Sequence, residues 1–223
     1  MGDIRFTSPA EGADLAAFLG RVVRLDPAAL VRLRAGQGSA AGYVSLPFGV
    51  MVSRSARVLA GPADVTVRAA ALLALLDGLG DDATVSLPDQ QDAAWRGQLP
   101  PAAGWERLDS VPASVVTQLV RAGVETLKAA GPGGVAGRGG EALLDHEALT
   151  VSGAGRTVAL PLRVLSAAWR MGFLGDEAPG QTADPTRPER LVGVSTSGRW
   201  ARLTAPYGSA YHQVTPALLV GAR

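Results

Sequence analysis

Cysteine is absent from these 223 residues. That excludes disulfides, thiolate zinc sites and cysteine nucleophiles together, and it fits a reducing compartment. Lysine is nearly absent: Lys128 stands alone among 21 cations, the rest being arginine. Aromatics make up 5% of the chain, so its core has to come mainly from Ala, Val and Leu. Long apolar runs are missing too. The longest uncharged one, Ala69 to Leu76, is far short of the roughly 20 residues that span a bilayer. The opening MGDIRFTSPAEGAD has acids and a proline where a signal peptide would be apolar. A soluble cytoplasmic protein without a membrane partner is expected.

What is present describes a folding chain, 47% hydrophobic and 18% charged. Its length suits two domains of about 100 residues each. Net charge is +1, which gives no general reason for nucleic-acid or membrane binding. The distribution is uneven. Residues 1–70 carry eight Arg against five acids, 71–112 two Arg against seven acids, and 113–223 eleven cations against eight acids. Arginine suits bidentate anion recognition, but abundant Ala, Gly, Arg and Pro together also mark a GC-rich genome.

Ser8-Pro9-Ala10-Glu11 reads as a helix start with a capping box. Leu15, Phe18, Leu19 and Val22 continue it at helical spacing until Asp26-Pro27. Val31, Leu33 and Ala35 alternate with Arg32 and Arg34, placing both arginines on the solvent face of a strand. Strands follow at Tyr43 to Leu46 and Val50 to Ser53, and a short one at Arg57 to Ala60. Connections this short require antiparallel pairing. Val65 and Val67 finish a strand, Leu72, Leu75, Leu76 and Leu79 mark a helix face, and Thr84 to Leu87 reads as a last strand. Pro88 to Arg96 reads as a short polar helix. Beyond Pro112 comes a helix with Val116, Leu119, Val120, Val124 and Leu127 inward. A glycine-rich loop over 131–140 and a hairpin over Leu149–Ser152 and Thr157–Leu160 come next. A helix from Pro161 has Leu162, Leu165 and Trp169 inward; a polar loop covers 175–190, and a second hairpin covers Leu191–Thr196 and Arg199–Thr204. Residues from Tyr207 onward show no pattern.

The fold class expected is α+β, with two similar subdomains, each an antiparallel sheet with helices packed on one face. The N-terminal subdomain is 1–96, a connector 97–111, and the C-terminal subdomain 112–223. The openings SPAEGADLAAFLGR and VPASVVTQLVRAG correspond loosely. Through GPADVTVRAAALLALLDG, AAWRGQLPPAAGWERLDSVPASVV and PLRVLSAAWRMGFLG, the chain resembles uncharacterised proteins of GC-rich actinobacteria. That resemblance implies no activity, cofactor or catalytic residue.

Catalytic signatures are missing or out of context. Gly36-Gln37-Gly38-Ser39-Ala40-Ala41-Gly42 superficially resembles a dinucleotide loop, but strand-like YVSLPFGVMV follows where a helix should. The glycines of 131–140 lack the Lys-Ser or Lys-Thr of a phosphate loop. Asp145-His146-Glu147 groups metal-ligand types, yet neighbouring residues point apart and no HExxH or HxH spacing occurs. His212 would join them only through folding. No G-x-S-x-G is present. The expectation is therefore no catalytic residue, cofactor or metal. Two surfaces stand out. Trp95, Trp105, Glu106 and Arg107 flank Pro100-Pro101 and form a candidate seam or interface between the halves. Arg163, Arg170, Arg199 and Arg202 form a candidate anion or DNA contact, on a helix and hairpin similar to a winged helix. The leading expectation is a non-enzymatic interaction or regulatory protein that self-associates or binds a protein partner. A DNA-contacting regulator and an enzyme with its site near the seam are the alternatives.

Overall fold

The computed structural model describes residues 2–129, 138–175 and 189–214. The architecture is α+β, a large antiparallel sheet with helices on one face. Four βα units follow one another. The first is β1 (Asp3–Phe6), α1 (Pro9–Leu25), β2 (Leu30–Gly36), β3 (Ser39–Ser45) and β4 (Met51–Ala60). The second is shorter: β5 (Val65–Arg68), α2 (Ala69–Leu76) and β6 (Thr84–Ser86). The third has, among its described residues, β7 (Glu106–Pro112), α3 (Ala113–Ala129), α4 (Arg138–Asp145) and β8 (Glu147–Gly153). The fourth is complete again: β9 (Arg156–Pro161), α5 (Leu162–Arg170), β10 (Leu191–Ser197), β11 (Trp200–Ala205) and β12 (Gly208–Gln213).

Strand order shows how the halves relate. The main path runs β5-β2-β3-β4-β12-β11-β10-β7, and β1 joins β4 to β6 beside it, giving ten strands; β8 and β9 pair separately. Reversing the path exchanges the first unit with the fourth and the second with the third. Among the described residues each half thus contributes one complete and one shortened unit, in opposite order along the chain. By this equivalence α1 corresponds to α5, where the opening phrases of the sequence align α1 with α3. The pseudo-axis passes between β4 and β12, which pair antiparallel with Ser53 opposite Ser209, Val52 opposite Ala210 and Met51 opposite Tyr211.

Period-two alternation puts Val31, Leu33, Val44, Val52, Val194, Leu203 and Ala210 beneath the helices, in one hydrophobic cluster that spans both halves. α1 seats Leu15, Phe18, Leu19 and Val22 against it, as their spacing predicts. α3 and α5 pack closely at Gly123, where a Cβ would stand 2.5 Å from Leu162 Cδ2 and would push that side chain aside.

Several local expectations are corrected. Trp169 is not inward; it is 42% exposed, because α5 buries Val164, Leu165, Ala167 and Ala168 instead. α2 ends at Leu76, leaving Leu75 at 43% exposure and Leu79 beyond the helix. The Ser8 capping box does not form. Ser8 makes no side-chain cap, and the Glu11 carboxylate instead accepts hydrogen bonds from Arg57 N at 2.8 Å and Nε at 2.7 Å. Pro88 to Arg96 holds a single 3-10 turn, Asp92–Ala94, in place of a helix. The expected connector 97–111 ends in β7, and residues after Tyr207 supply β12. α4 occupies 138–145; the remainder of the expected 131–140 loop, most of 175–190 and residues 215–223 lie outside the described residues. No described helix is long and apolar enough to cross a membrane.

Candidate functional site

Away from the helices, the sheet carries a second cluster at the joint between the halves. Met51, Trp200 and Tyr211 are buried there, with Tyr43, Trp95, Leu99 and Trp105 packed against them. Alternation explains its membership. Met51, Ser53, Tyr211, Trp200 and Arg202 are the residues of β4, β12 and β11 whose neighbours Val52, Ala210 and Ala201 face the helices. The connector supplies the cover. It leaves the second unit along β5, where Gln90 bridges Val67, and then crosses the joint with Trp95, Leu99 and Trp105.

Polar contacts fix this arrangement. Ser53 Oγ and Tyr211 OH lie 3.0 Å apart in a buried hydrogen bond across the joint. The Tyr211 ring meets Tyr43 at 6.1 Å and Trp105 at 5.9 Å between centroids, both tilted. Trp105 Nε1 donates to Pro101 O at 2.9 Å, and Trp95 Nε1 to Gly97 O at 3.1 Å, so each indole pins its own loop. Arg202 places its guanidinium carbon 4.3 Å from the Trp105 centroid, and Arg32 lies 5.9 Å from that of Trp95. Arg32 also donates two hydrogen bonds of 2.7 Å to Asp64, a bidentate pair that holds the Asp64 carboxyl below its ordinary range. Burial pushes the Tyr43 hydroxyl up. The site is thus an aromatic floor rimmed by Arg32, Arg34 and Arg202.

Of the seam residues expected from sequence, folding brings Trp95 and Trp105 into this cluster. Glu106 turns to Arg156 at 3.7 Å, and Arg107 hydrogen-bonds Ser110, both on β7 away from the joint. The four arginines of the expected anion contact do not share a surface. Arg163 pairs with Asp145 at 2.5 Å and donates to Phe48 O at 2.7 Å, on the helix side. Arg170 ends α5 and is exposed. Arg202 points to the opposite face, and Arg199 bonds Gln213 at 2.5 Å. Sequence reasoning missed Tyr43, Met51, Trp200 and Tyr211. Tyr43 and Met51 carry an alternation signal on strands it had found; Tyr211 sits on a strand it had not.

On the helix side, α1 and the segment after α5 enclose a cleft of about 240 Å³ lined by Arg21, Arg54, Phe18, Phe173 and Tyr207. Arg54 donates to Asp14 at 2.5 Å, which neutralises part of its charge. His212 also faces this side. Burial, then the Arg163 charge, lowers its pKa, while Asp145 opposes them. Folding therefore does bring His212 near Asp145, with Arg163 completing the group. Among the described residues no three His, Asp or Glu side chains are arranged to hold a metal ion.

This architecture defines a class, an α+β protein of clamp-like fold. Three solved bacterial structures illustrate it. A DNA polymerase III subunit beta sliding clamp of Bartonella birtlesii, determined bound to griselimycin, superposes with a TM-score of 0.56 at 14% identity, covering 98% of this chain and 66% of that one. The DNA polymerase sliding clamp of Caulobacter crescentus gives 0.58 at 13%, covering 99% and 66%. The DNA polymerase III subunit beta of Pseudomonas aeruginosa gives 0.57 at 13%, covering 100% and 68%. The chain thus spans about two thirds of the length of these proteins. Residues 100–216 match the model of a domain of unknown function, DUF8185, and residues 1–97 match a second, DUF8010. The chain belongs to the DUF8185 family. No curated protein matches it.

Proposed function

We propose that this is a non-catalytic docking protein whose partner is another protein, bound on the sheet face at the joint between the halves. The observation that carries the reading is the half-buried pair Tyr43 and Trp105, seated on buried Trp200 and Tyr211 and flanked by exposed Arg34 and half-buried Arg202. Aromatics and arginines are the residues that most often anchor protein partners. Asp64 holds Arg32 and lies 3.7 Å from Arg34, so Arg202, stacked on Trp105, is the rim cation best placed to meet an acidic group beside an apolar side chain of the partner. The similar clamps are named as parts of DNA polymerase, which supports a role as a subunit serving other proteins.

Charge argues against DNA along the helix layer. The five helices carry seven cations and five acids in sequence, and Lys128 and Arg163 are already paired with Glu125 and Asp145. A surface that neutralises many phosphates needs a larger excess.

A photo-crosslinking residue at Arg34, on the sheet face, is expected to trap a discrete protein adduct in cells, one that weakens when Arg202→Ala is added. The same residue at Arg121, on α3, is expected to trap none. Nucleic-acid adducts at Arg121, or no protein adduct at Arg34, would overturn the reading.

A further inference from the structure

The halves meet through the last strands of the two complete units, β4 and β12. For a second copy to continue the sheet in the same way, a unit at the end of the path would have to offer its own third and fourth strands. The units at the ends are the second, which is shortened, and the third, which is shortened among its described residues. Every residue between α2 and β7 is described. After β6 they give one bridge, one 3-10 turn and the connector, with no further strand. In the third unit, the described residues between α3 and β8 form α4.

The outward edges of both end strands are also partly occupied. On β5, Thr66 N donates to Asp92 Oδ1 at 2.6 Å, and Gln91 N donates to Thr66 O at 2.7 Å. On β7, Ser110 N donates to Asp109 Oδ1 at 2.7 Å. There the pairing with β10 is also irregular between Val194 and Ser195. The β8–β9 hairpin lies hard against the same strand: a Cβ on Gly153 would stand 2.1 Å from Leu108 O. Occupied backbone groups, bulges and covering segments are the ways a sheet edge is kept from pairing with another chain.

We infer that the sheet is terminated at both ends: it has one joint, formed within a single chain, and accepts no second copy by strand pairing. In the second unit, the length that a complete unit spends on two strands forms the connector that lies over the joint.

The absence of cysteine makes this directly testable. Ser53→Cys with Ser209→Cys places near-isosteric thiols opposite each other across the joint. On oxidation the pair is expected to close within one chain, and a covalent dimer would overturn the inference. Arg68→Cys and Arg107→Cys put single thiols at exposed positions of β5 and β7. Alone or mixed, they are expected to yield no covalent dimer, and a dimer trapped by either overturns the inference. Sedimentation of the unmodified chain is expected at the 22.8 kDa of one copy. Should the chain associate while both edge thiols stay uncrosslinked, the contact lies elsewhere and the terminated sheet stands.

Discussion

The two complete units differ in how the last strand treats the first. β4 runs for ten residues: its opening pairs with β12 and its end with β1, through Ala60 opposite Arg5 and Val58 opposite Phe6. β12 runs for six and pairs with β11 and β4 only, so β9 stays outside the main sheet and pairs with β8 alone. One half is therefore a continuous sheet, and the other a sheet plus a separate hairpin held by packing. Units of the same topology tolerate this because the shared core, not the ladder, joins hairpin to sheet: Val151, Val158 and Leu160 belong to the same cluster as Phe6 and Val58. Strand length at one position thus decides which half is tied by backbone hydrogen bonds and which by side chains.

The strongest challenge to this comparison comes from the cores. Phe6→Ala in the first half and Phe173→Ala in the second, both 1% exposed, should each cost about 3–5 kcal/mol. In denaturant titrations both should move one and the same transition, since one cluster spans the halves. Two separable transitions would show that the halves are energetically independent. Trp105→Ala should cost less, about 1.5–3 kcal/mol, because Trp105 is half-buried rather than enclosed. Arg202→Ala on the same stack should cost about 1 kcal/mol, and the double variant less than the sum.

The hairpin offers a finer probe. Gly153→Ala forces a Cβ into the β7 backbone and should cost about 1–3 kcal/mol. Amide exchange should rise in β8 and β9 and stay unchanged in β1 and β6, their counterparts; equal loosening of both would mean that the hairpin is not separately held. The smallest effect is in pH dependence. His212 has a lowered pKa in the folded chain, so the unfolded chain binds its proton first. Stability should fall as pH drops below about 6.5 and level off once the folded group is also protonated. Asp64 and Glu11 are lowered from 3.8 and 4.5 by their arginine partners, so their contribution is lost only at more acid pH. Unfolding midpoints across this range should show the His212 step, and His212→Gln should remove it without changing the lower one.

Much of the fold was legible in the sequence where periodicity was local. α1, both C-terminal hairpins and the inward face of β2 follow from residue spacing, and so does the class of layered α+β structure. What escaped depended on distant partners. Gly208 to Gln213 has little apolar content, and its strand exists because β4 offers an edge. β1 is four residues long and is held between β4 and β6. Trp169 suggested a core position by its size, but small alanines took the buried face of α5. The site was half legible: the two connector tryptophans stood out, whereas their floor came from four strands whose order no local pattern contains.

That order sets a sequence of events during synthesis. Ser53 waits for Tyr211, 158 residues further along the chain. While the ribosome makes the intervening residues, the opening of β4 has no neighbour on that side. Closing so long a loop delays pairing, and a waiting strand edge is where a nascent chain sticks to others. The connector is made well before β12, so Trp95, Leu99 and Trp105 can settle over Tyr43 and Met51 first. The last strand to be made thus pairs with a strand of the first half beneath a connector that precedes it in the chain.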